Sequence, residues 1–283
     1  MAEPNPQPAA DVRQSPIRIS LEFIGARTYS MLEAVGSSFY LMLEALHWMW
    51  RGLTHKRTRL GRSAIISQMV RIGVRSVFII GLVSSCVGLI LALQMAPQLD
   101  NFGSRDLVAN ITGVAIFREL GPLIASIVMT GFAGAAIAAE IGTMVVGEEI
   151  EALEAQALNP VRFLVVPRVI ASVISMTCLA VFANLVAVTA GWVVGVTALG
   201  IPSERYIQNT LDQVKMVDFF TGVGKATVFG LLIGLIACNN GLRVTGGAAG
   251  VGQATTSTVV QSIVAIIIAD LMFTAIFYSV GLV

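Results

Sequence analysis

The sequence predicts an all-α integral membrane protein: an interfacial N-terminal helix, five transmembrane helices, and a short polar helix between the second and third of these. Three observations predict it. Of 283 residues, 55% are hydrophobic and only 12% charged, where a soluble domain carries about 25% charged. Several apolar runs reach the length of about 17 to 25 residues that a helix needs to cross hydrocarbon. Two of those runs are separated by the acids Glu140, Glu148, Glu149, Glu151 and Glu154 with no base among them, and then by Asn159-Pro160.

Taken in order, residues 1–16 are polar, contain Pro4, Pro6, Pro8 and Pro16, and lack the charged-then-apolar pattern of a signal peptide; a disordered cytoplasmic tail is expected. Residues 17–62 mix apolar positions with Arg18, Glu22, Arg27, Glu33 and Glu44, and place Trp48 and Trp50 beside Arg51, Lys56, Arg57, Arg59 and Arg62. Such charges forbid a clean span, whereas aromatics next to basic residues suit the headgroup level. An amphipathic helix lying in the membrane surface is expected there.

From residue 63 to the end the chain reads as five spans. The first covers Ser76–Pro97, with a helix starting as early as Ile65 and Arg71 and Arg75 snorkelling. A loop is expected over Gln98–Asn110, a second span over Ile111–Ala139, and the acidic helix over Glu148–Leu158, ended by Asn159-Pro160. The run Phe163–Leu199 is too long for one upright span and short for two; one tilted helix from about Pro167 is predicted. A second loop covers Ile201–Asp218 and a fourth span runs from Phe219 to about Asn240. A glycine-rich loop over Gly241–Gln253 and a fifth span from Thr258 to about Leu282 complete the chain.

Charge distribution sets the orientation. Ten of the eighteen Lys and Arg precede Ser76, which by the positive-inside rule puts the N-terminus in the cytoplasm. Five spans then put the acidic helix on the cytoplasmic side. On a helical wheel Ile150, Leu153 and Ala157 share one face and the acids occupy the rest. That pattern fits a solvated connector or a helix with an acidic face open to a partner.

Four ionisable groups fall inside spans: Glu119, Glu140, Lys225 and Asp270, with Arg118 beside the first. Charges at such depth face a protein interior or a water-filled cavity. On this topology Glu119, Lys225 and Asp270 lie about 12, 9 and 18 Å inside the outer ends of their spans. Pairing of Lys225 with Glu119 or Asp270 is expected, either as a purely structural lock or as part of a transport route. Glu140, at the cytoplasmic end of its span, reads as interfacial and structural. Gly131, Gly134 and Gly142 with Ala133, Ala135, Ala136, Ala138 and Ala139 make a small-residue face, suited to close packing within the chain or to a dimer seam.

RELGP at Arg118–Pro122, AAEIGTM at Ala138–Met144, EEIEAL at Glu148–Leu153, NPVRFLVVPRVIA at Asn159–Ala171 and GGAAGVGQATTSTVV at Gly246–Val260 together resemble the MlaE/YrbE family. These are permease subunits of bacterial ABC-type lipid transporters associated with MCE proteins. The resemblance runs from about Leu60 to the C-terminus. Two positions depart from the common pattern: Phe132 stands where the family often has Arg, and EEIEAL replaces the commoner EQIDAL. The resemblance implies a multi-pass permease of the bacterial inner membrane. Its cytoplasmic coupling helix, with Glu148, Glu149, Glu151, Leu153 and Glu154, docks into an ABC ATPase, and ATP and magnesium are expected in that partner. It also implies a lipid cavity near Arg118, Glu119, Lys225 and Asp270, with Arg118 facing the outer cavity where a headgroup passes. A second copy of the chain closes that cavity, and phospholipid or a related lipid moves to or from an extracytoplasmic MCE lipid-binding partner.

Other readings are weaker. Gly222-Val223-Gly224-Lys225-Ala226-Thr227 lacks the spacing of a phosphate-binding loop and has Ala where Ser or Thr must reach the metal; with no nucleotide site, the chain is not itself an ATPase. Gly246–Gly252 follows a membrane span and not a strand, so it opens no dinucleotide fold. Cys86, Cys178 and Cys238 lie far apart in apolar runs without metal-ligand spacing, and His47 and His55 lack partners; no metal site, no nucleophilic triad and no nucleic-acid surface is expected. The alternative from a different class is a secondary transporter that uses Glu119, Lys225 and Asp270 as an ion relay.

Overall fold

A computed structural model describes residues 25, 32–33, 36–51, 61–101, 103–104 and 106–281. The expected tail over 1–16, and much of the interfacial region 17–62, lie outside the described residues. The chain divides into two units, Met1–Tyr40 and Leu41–Val283. The described residues of the first unit are helical. The second begins with helical residues 41–51 and then holds all the long helices. It is an all-α membrane protein, with no strand among the described residues.

Among the described residues five helices are long and apolar enough to cross a membrane: α1 (Arg62–Asn101), α2 (Leu107–Val146), α4 (Val161–Thr197), α6 (Met216–Leu242) and α7 (Gly247–Val280). Two short helices join them, α3 (Glu149–Ala155) and α5 (Ser203–Gln213). Because α3 connects α2 to α4 and α5 connects α4 to α6, these two sit at opposite ends of the bundle. Four of these spans are longer than their apolar runs suggest, and α4 equals its run in length. Much of the expected loop Gln98–Asn110 is helix, because α1 continues through Pro97 to Asn101 and α2 begins at Leu107. The glycine-rich loop Gly241–Gln253 shrinks to 243–246: α7 begins at Gly247, so GAAGVGQATTSTVV is helix. The run after Asn159 is a single helix of 37 residues starting at Val161 and not a hairpin of two.

The region Ile201–Asp218, read as loop, contains α5. Its apolar residues Tyr206, Ile207, Thr210 and Leu211 recur at helical spacing between charged positions, a pattern masked in the sequence by its short length. Tyr206 is buried against α4, where Gly195 and Gly191 leave room for the ring; a Cβ on Gly195 would lie 2.4 Å from Tyr206 Cε2. Asn209 donates to the Asp106 carbonyl at 3.1 Å, and Arg205 pairs with Asp106 at 3.1 Å. These contacts hold α5 across the ends of α2 and α4.

Helix α4 is the centre of the bundle, packed along α1 on one side and α6 on the other. Backbones touch at glycines: a Cβ on Gly88 of α1 would lie 2.0 Å from the Ala187 carbonyl of α4, and one on Gly230 of α6 would lie 2.8 Å from the Ser172 carbonyl. Small residues permit this approach where no hydrophobic effect drives helices together. By contrast, only 6% of the most apolar window of α7 is buried, so its outer face is left to the surroundings. The small-residue face of α2 divides accordingly. Gly134 and Gly142 pack against Ile233, Val244 and Val251, whereas Gly131 and Phe132 face outward.

Candidate functional site

The site starts from a defect in α2. Pro122 has no N–H, and its ring would collide with a carbonyl one turn back. The helix responds by widening to a π turn over Ile116–Leu120, where the Gly121 N–H reaches the Ile116 carbonyl. This leaves the Phe117 carbonyl without the donor that position 122 would supply. That oxygen faces Gly222 of α6, where a Cβ would come within 2.1 Å. So Gly222, the first glycine of the phosphate-loop decoy, lets α6 lie directly on the widened turn. Such π turns recur at functional sites, and this one carries Arg118 and Glu119.

Glu119, Lys225 and Asp270 come together from α2, α6 and α7. Lys225 Nζ donates to Glu119 Oε2 at 2.5 Å and to Thr274 Oγ1 at 2.9 Å, and forms an ion pair with Asp270 Oδ1 at 3.0 Å without hydrogen-bond alignment. The Thr274 hydroxyl can donate to Glu119 Oε1 at 3.0 Å or to the Asp270 carbonyl at 2.9 Å. Lys225 is fully buried, while the Glu119 side chain keeps 30% of its surface and Asp270 17%. Lys225 therefore serves both carboxylates at once, where sequence offered one or the other. Two acids share one base at a face that remains partly open.

Arg118 does not join this cluster. It donates through Nε and Nη2 to Asp218 Oδ1, at 3.0 and 2.5 Å, and Asp218 Oδ2 accepts the Lys215 N–H at 3.0 Å. Asp218 thus caps α6 and holds α2 together. Arg118 is engaged by a neighbouring helix while 22% of its side chain stays exposed. Asp218 and Thr274 were missed: Asp218 was read as the end of a loop, and Thr274 carries no charge. The one available signal for Thr274 is its position one turn after Asp270.

At the opposite end of the bundle, Glu140 Oε1 accepts from Arg71 Nη1 at 2.6 Å and pairs with Arg168 Nη2 at 3.1 Å. Glu140 thus bridges two arginines from neighbouring helices, and Arg71 is thereby tied to a partner. The nearly buried Arg168 also donates to the Leu164 carbonyl at 2.8 Å.

Beyond this end lies α3. It is shorter than expected, and Asn159-Pro160 does not stop it. Ala157 does: it turns left-handed (φ 57°), and the Leu158 N–H returns to the Leu153 carbonyl at 3.0 Å, a Schellman-type ending. Asn159 instead starts α4, its Oδ1 accepting the Arg162 N–H at 3.1 Å. Glu148, Glu149, Glu151 and Glu154 are all exposed, while Ile150 and Leu153 are half-buried beneath them; Ala157 is exposed. Residues 41–51 lie against the turn that follows. Asn159 Nδ2 donates to Glu44 Oε1 at 3.1 Å, and the Arg162 guanidinium stacks 5.5 Å from the Trp48 ring. Among the described residues no three His, Cys, Asp or Glu are grouped to hold a metal.

Comparison with known proteins gives a consistent answer. The family model described as Permease MlaE matches residues 65–276. A probable ABC transporter permease protein of Rickettsia prowazekii is 38% identical over 218 residues, 77% of this chain and 84% of the relative. The intermembrane phospholipid transport system permease protein MlaE of Haemophilus influenzae is 33% identical over 220 residues, with the same shares covered. The chloroplastic protein TRIGALACTOSYLDIACYLGLYCEROL 1 of Arabidopsis thaliana is 33% identical over 214 residues, 76% of this chain and 61% of the relative.

Proposed function

Because the chain belongs to the MlaE permease family, we propose that it is the membrane subunit of an ATP-driven lipid transporter. The cargo is a phospholipid or related lipid, moved between the inner membrane and an extracytoplasmic MCE-type partner. ATP and magnesium are held by a separate ABC ATPase. The N-terminus lies in the cytoplasm, with helical residues 41–51 along the membrane surface, and a second copy of the chain completes the lipid cavity. The observation that carries this reading is α3, which turns four exposed glutamates outward at one end of the bundle over the half-buried Ile150 and Leu153. Set between α2 and α4, it is placed to pass a push from a basic partner groove into both helices. The MlaE of Haemophilus influenzae, named as an intermembrane phospholipid transport permease, supplies the cargo.

A second reading rests on Lys225 between Glu119 and Asp270: a buried base shared by two acids could relay an ion down a gradient. One experiment separates the two. The chain is affinity-purified from its native membrane, intact or with Glu148, Glu149, Glu151 and Glu154 all changed to Lys. Co-purification of an ATPase with the intact chain, and its loss from the correctly inserted variant, is the expected result. If no ATPase accompanies either sample, the ATP-driven reading fails and the ion relay takes its place.

A further inference from the structure

At the end of the bundle that carries α5, a groove of about 310 Å³ lies between α4 and α5. Val188, Thr189 and Trp192 form one wall, and Ile207, Thr210 and Leu211 the other, with Tyr206 at the base. We propose that this groove holds one acyl chain of a bilayer phospholipid.

The chemistry of the walls selects the occupant. The polar side-chain groups of the two walls have internal partners, and the Tyr206 hydroxyl at the base lies against Gly191 of α4. The Thr189 hydroxyl donates to the Leu185 or Val186 carbonyl at 2.9 Å, the Thr210 hydroxyl to the Tyr206 carbonyl at 2.9 Å, and Trp192 Nε1 to Ser203 Oγ at 3.3 Å. Arg205 of the same helix is paired with Asp106 at 3.1 Å. The groove therefore offers apolar contact and no hydrogen bond, which suits a hydrocarbon tail and gives a headgroup nothing to hold.

Position argues the same way. Val188 lies nine residues from the end of α4 at Thr197, about 13 Å along the helix axis. Leu185, one turn deeper on that helix, is 56% exposed, and Val193 is 45% exposed. The groove is thus continuous with the surface that α4 shows to hydrocarbon. Its other wall carries exposed Ile207 and Leu211, the latter 71% exposed. Apolar side chains on a helix that leaves the span incur a cost in water and none against a lipid tail. The volume lies at the lower end of ligand clefts, about 300 to 1,000 Å³, room for one chain and not for a whole two-tailed lipid. This site is separate from the Lys225 cluster and from α3, and it does not depend on how transport is driven.

The test uses the full chain in phosphatidylcholine vesicles containing a phosphatidylcholine with a photoactivatable diazirine near the middle of one acyl chain. After irradiation the labelled peptides are mapped by mass spectrometry. Leu185 and Val193 report ordinary contact with annular lipid. Labelling at Trp192, Ile207 and Leu211 should exceed theirs several-fold and reach saturation as the probe fraction rises. It should fall to the annular level when the groove is filled by Val188→Phe with Leu211→Phe, while Leu185 and Val193 stay unchanged as a check on insertion. A headgroup-diazirine lipid should leave the groove unlabelled. Groove labelling no greater than at Leu185 overturns the proposal. So does equal labelling of the filled variant, or groove residues cross-linked to a polypeptide in preparations from native membrane in place of lipid.

Discussion

Lys225 shows how much rests on one side chain. It is fully buried, with Glu119, Asp270 and Thr274 all within 3.0 Å. Lys225→Met leaves two carboxylates facing each other without a cation. Breaking a buried pair from one side costs about 3 to 5 kcal/mol, and the partial exposure of Glu119 places this variant near the lower figure. Replacing all three, Glu119→Gln, Lys225→Met and Asp270→Asn, removes the uncompensated charge. The triple variant should unfold at a higher temperature than Lys225→Met alone, a non-additivity expected of groups acting together. Thermal unfolding in detergent, followed by tryptophan fluorescence, measures both. A triple variant no more stable than the single one would show that charge compensation is not what holds α2, α6 and α7. Glycines give a second residue-scale contrast. Gly195→Ala puts a methyl 2.4 Å from the Tyr206 ring and should loosen α5, whereas Gly224→Ala meets nothing within 4 Å. Without a clash, the change from Gly to Ala in a helix is worth up to about 1 kcal/mol of added stability.

At the scale of the element, α5 is held by a buried phenol. Burial raises the Tyr206 pKa from 10.0 to about 12. A group whose folded pKa is raised contributes fully below its unfolded value and loses that contribution as pH climbs to the folded one. Docking of α5 should therefore be unchanged up to about pH 10 and weaken between pH 10 and 12. Tyr206→Phe should remove that part of the alkaline transition, read from the fluorescence of Trp192 with Trp48 and Trp50 changed to Phe. An identical transition in the Phe variant would assign it elsewhere. The π turn in α2 is the other element with a stated cause. Pro122→Ala restores an N–H and lets Ile116–Leu120 return to α geometry, which rotates Arg118 and Glu119 away from Asp218 and Lys225. Cross-linking between cysteines placed at 118 and 218 should drop sharply in that background. The spans were legible in the sequence because hydrocarbon demands long apolar runs. Their ends were not, since Gly241–Gln253 and Gln98–Asn110 are polar enough to read as loops yet continue as helix. The π turn over Ile116–Leu120 was invisible because it arises from Pro122 acting on a carbonyl one turn earlier, and π turns also occur over Val161–Val165, before Pro167, and over Thr130–Gly134, with no proline beside it. The acids of α3 were plain, but its end depends on the left-handed Ala157, a position where alanine carries no signal.

For the whole molecule, the distribution of exposure bears on assembly. The Lys225 cluster was legible in part because charges inside apolar runs stand out, whereas its shape depends on which way α7 turns its neighbours. Glu119 and Asp270 retain 30% and 17% of their side-chain surface, and carboxylates at membrane depth do not face bare hydrocarbon without cost. A single bundle leaves them at a surface whose neighbour, α7, has few buried residues and an exposed outer face, with Leu271 70% exposed. A second copy applied to this face would turn the open carboxylates toward an enclosed cavity. It would also cover α7, whereas the far side of α4 around Leu185 would stay in lipid. The prediction is therefore directional. With Cys86, Cys178 and Cys238 replaced by Ala, Leu271→Cys should yield covalent dimers with a short bis-maleimide in native membranes, and Leu185→Cys should not. Dimers from Leu185→Cys alone would move the partner to the opposite side and leave Glu119 and Asp270 outside any shared cavity.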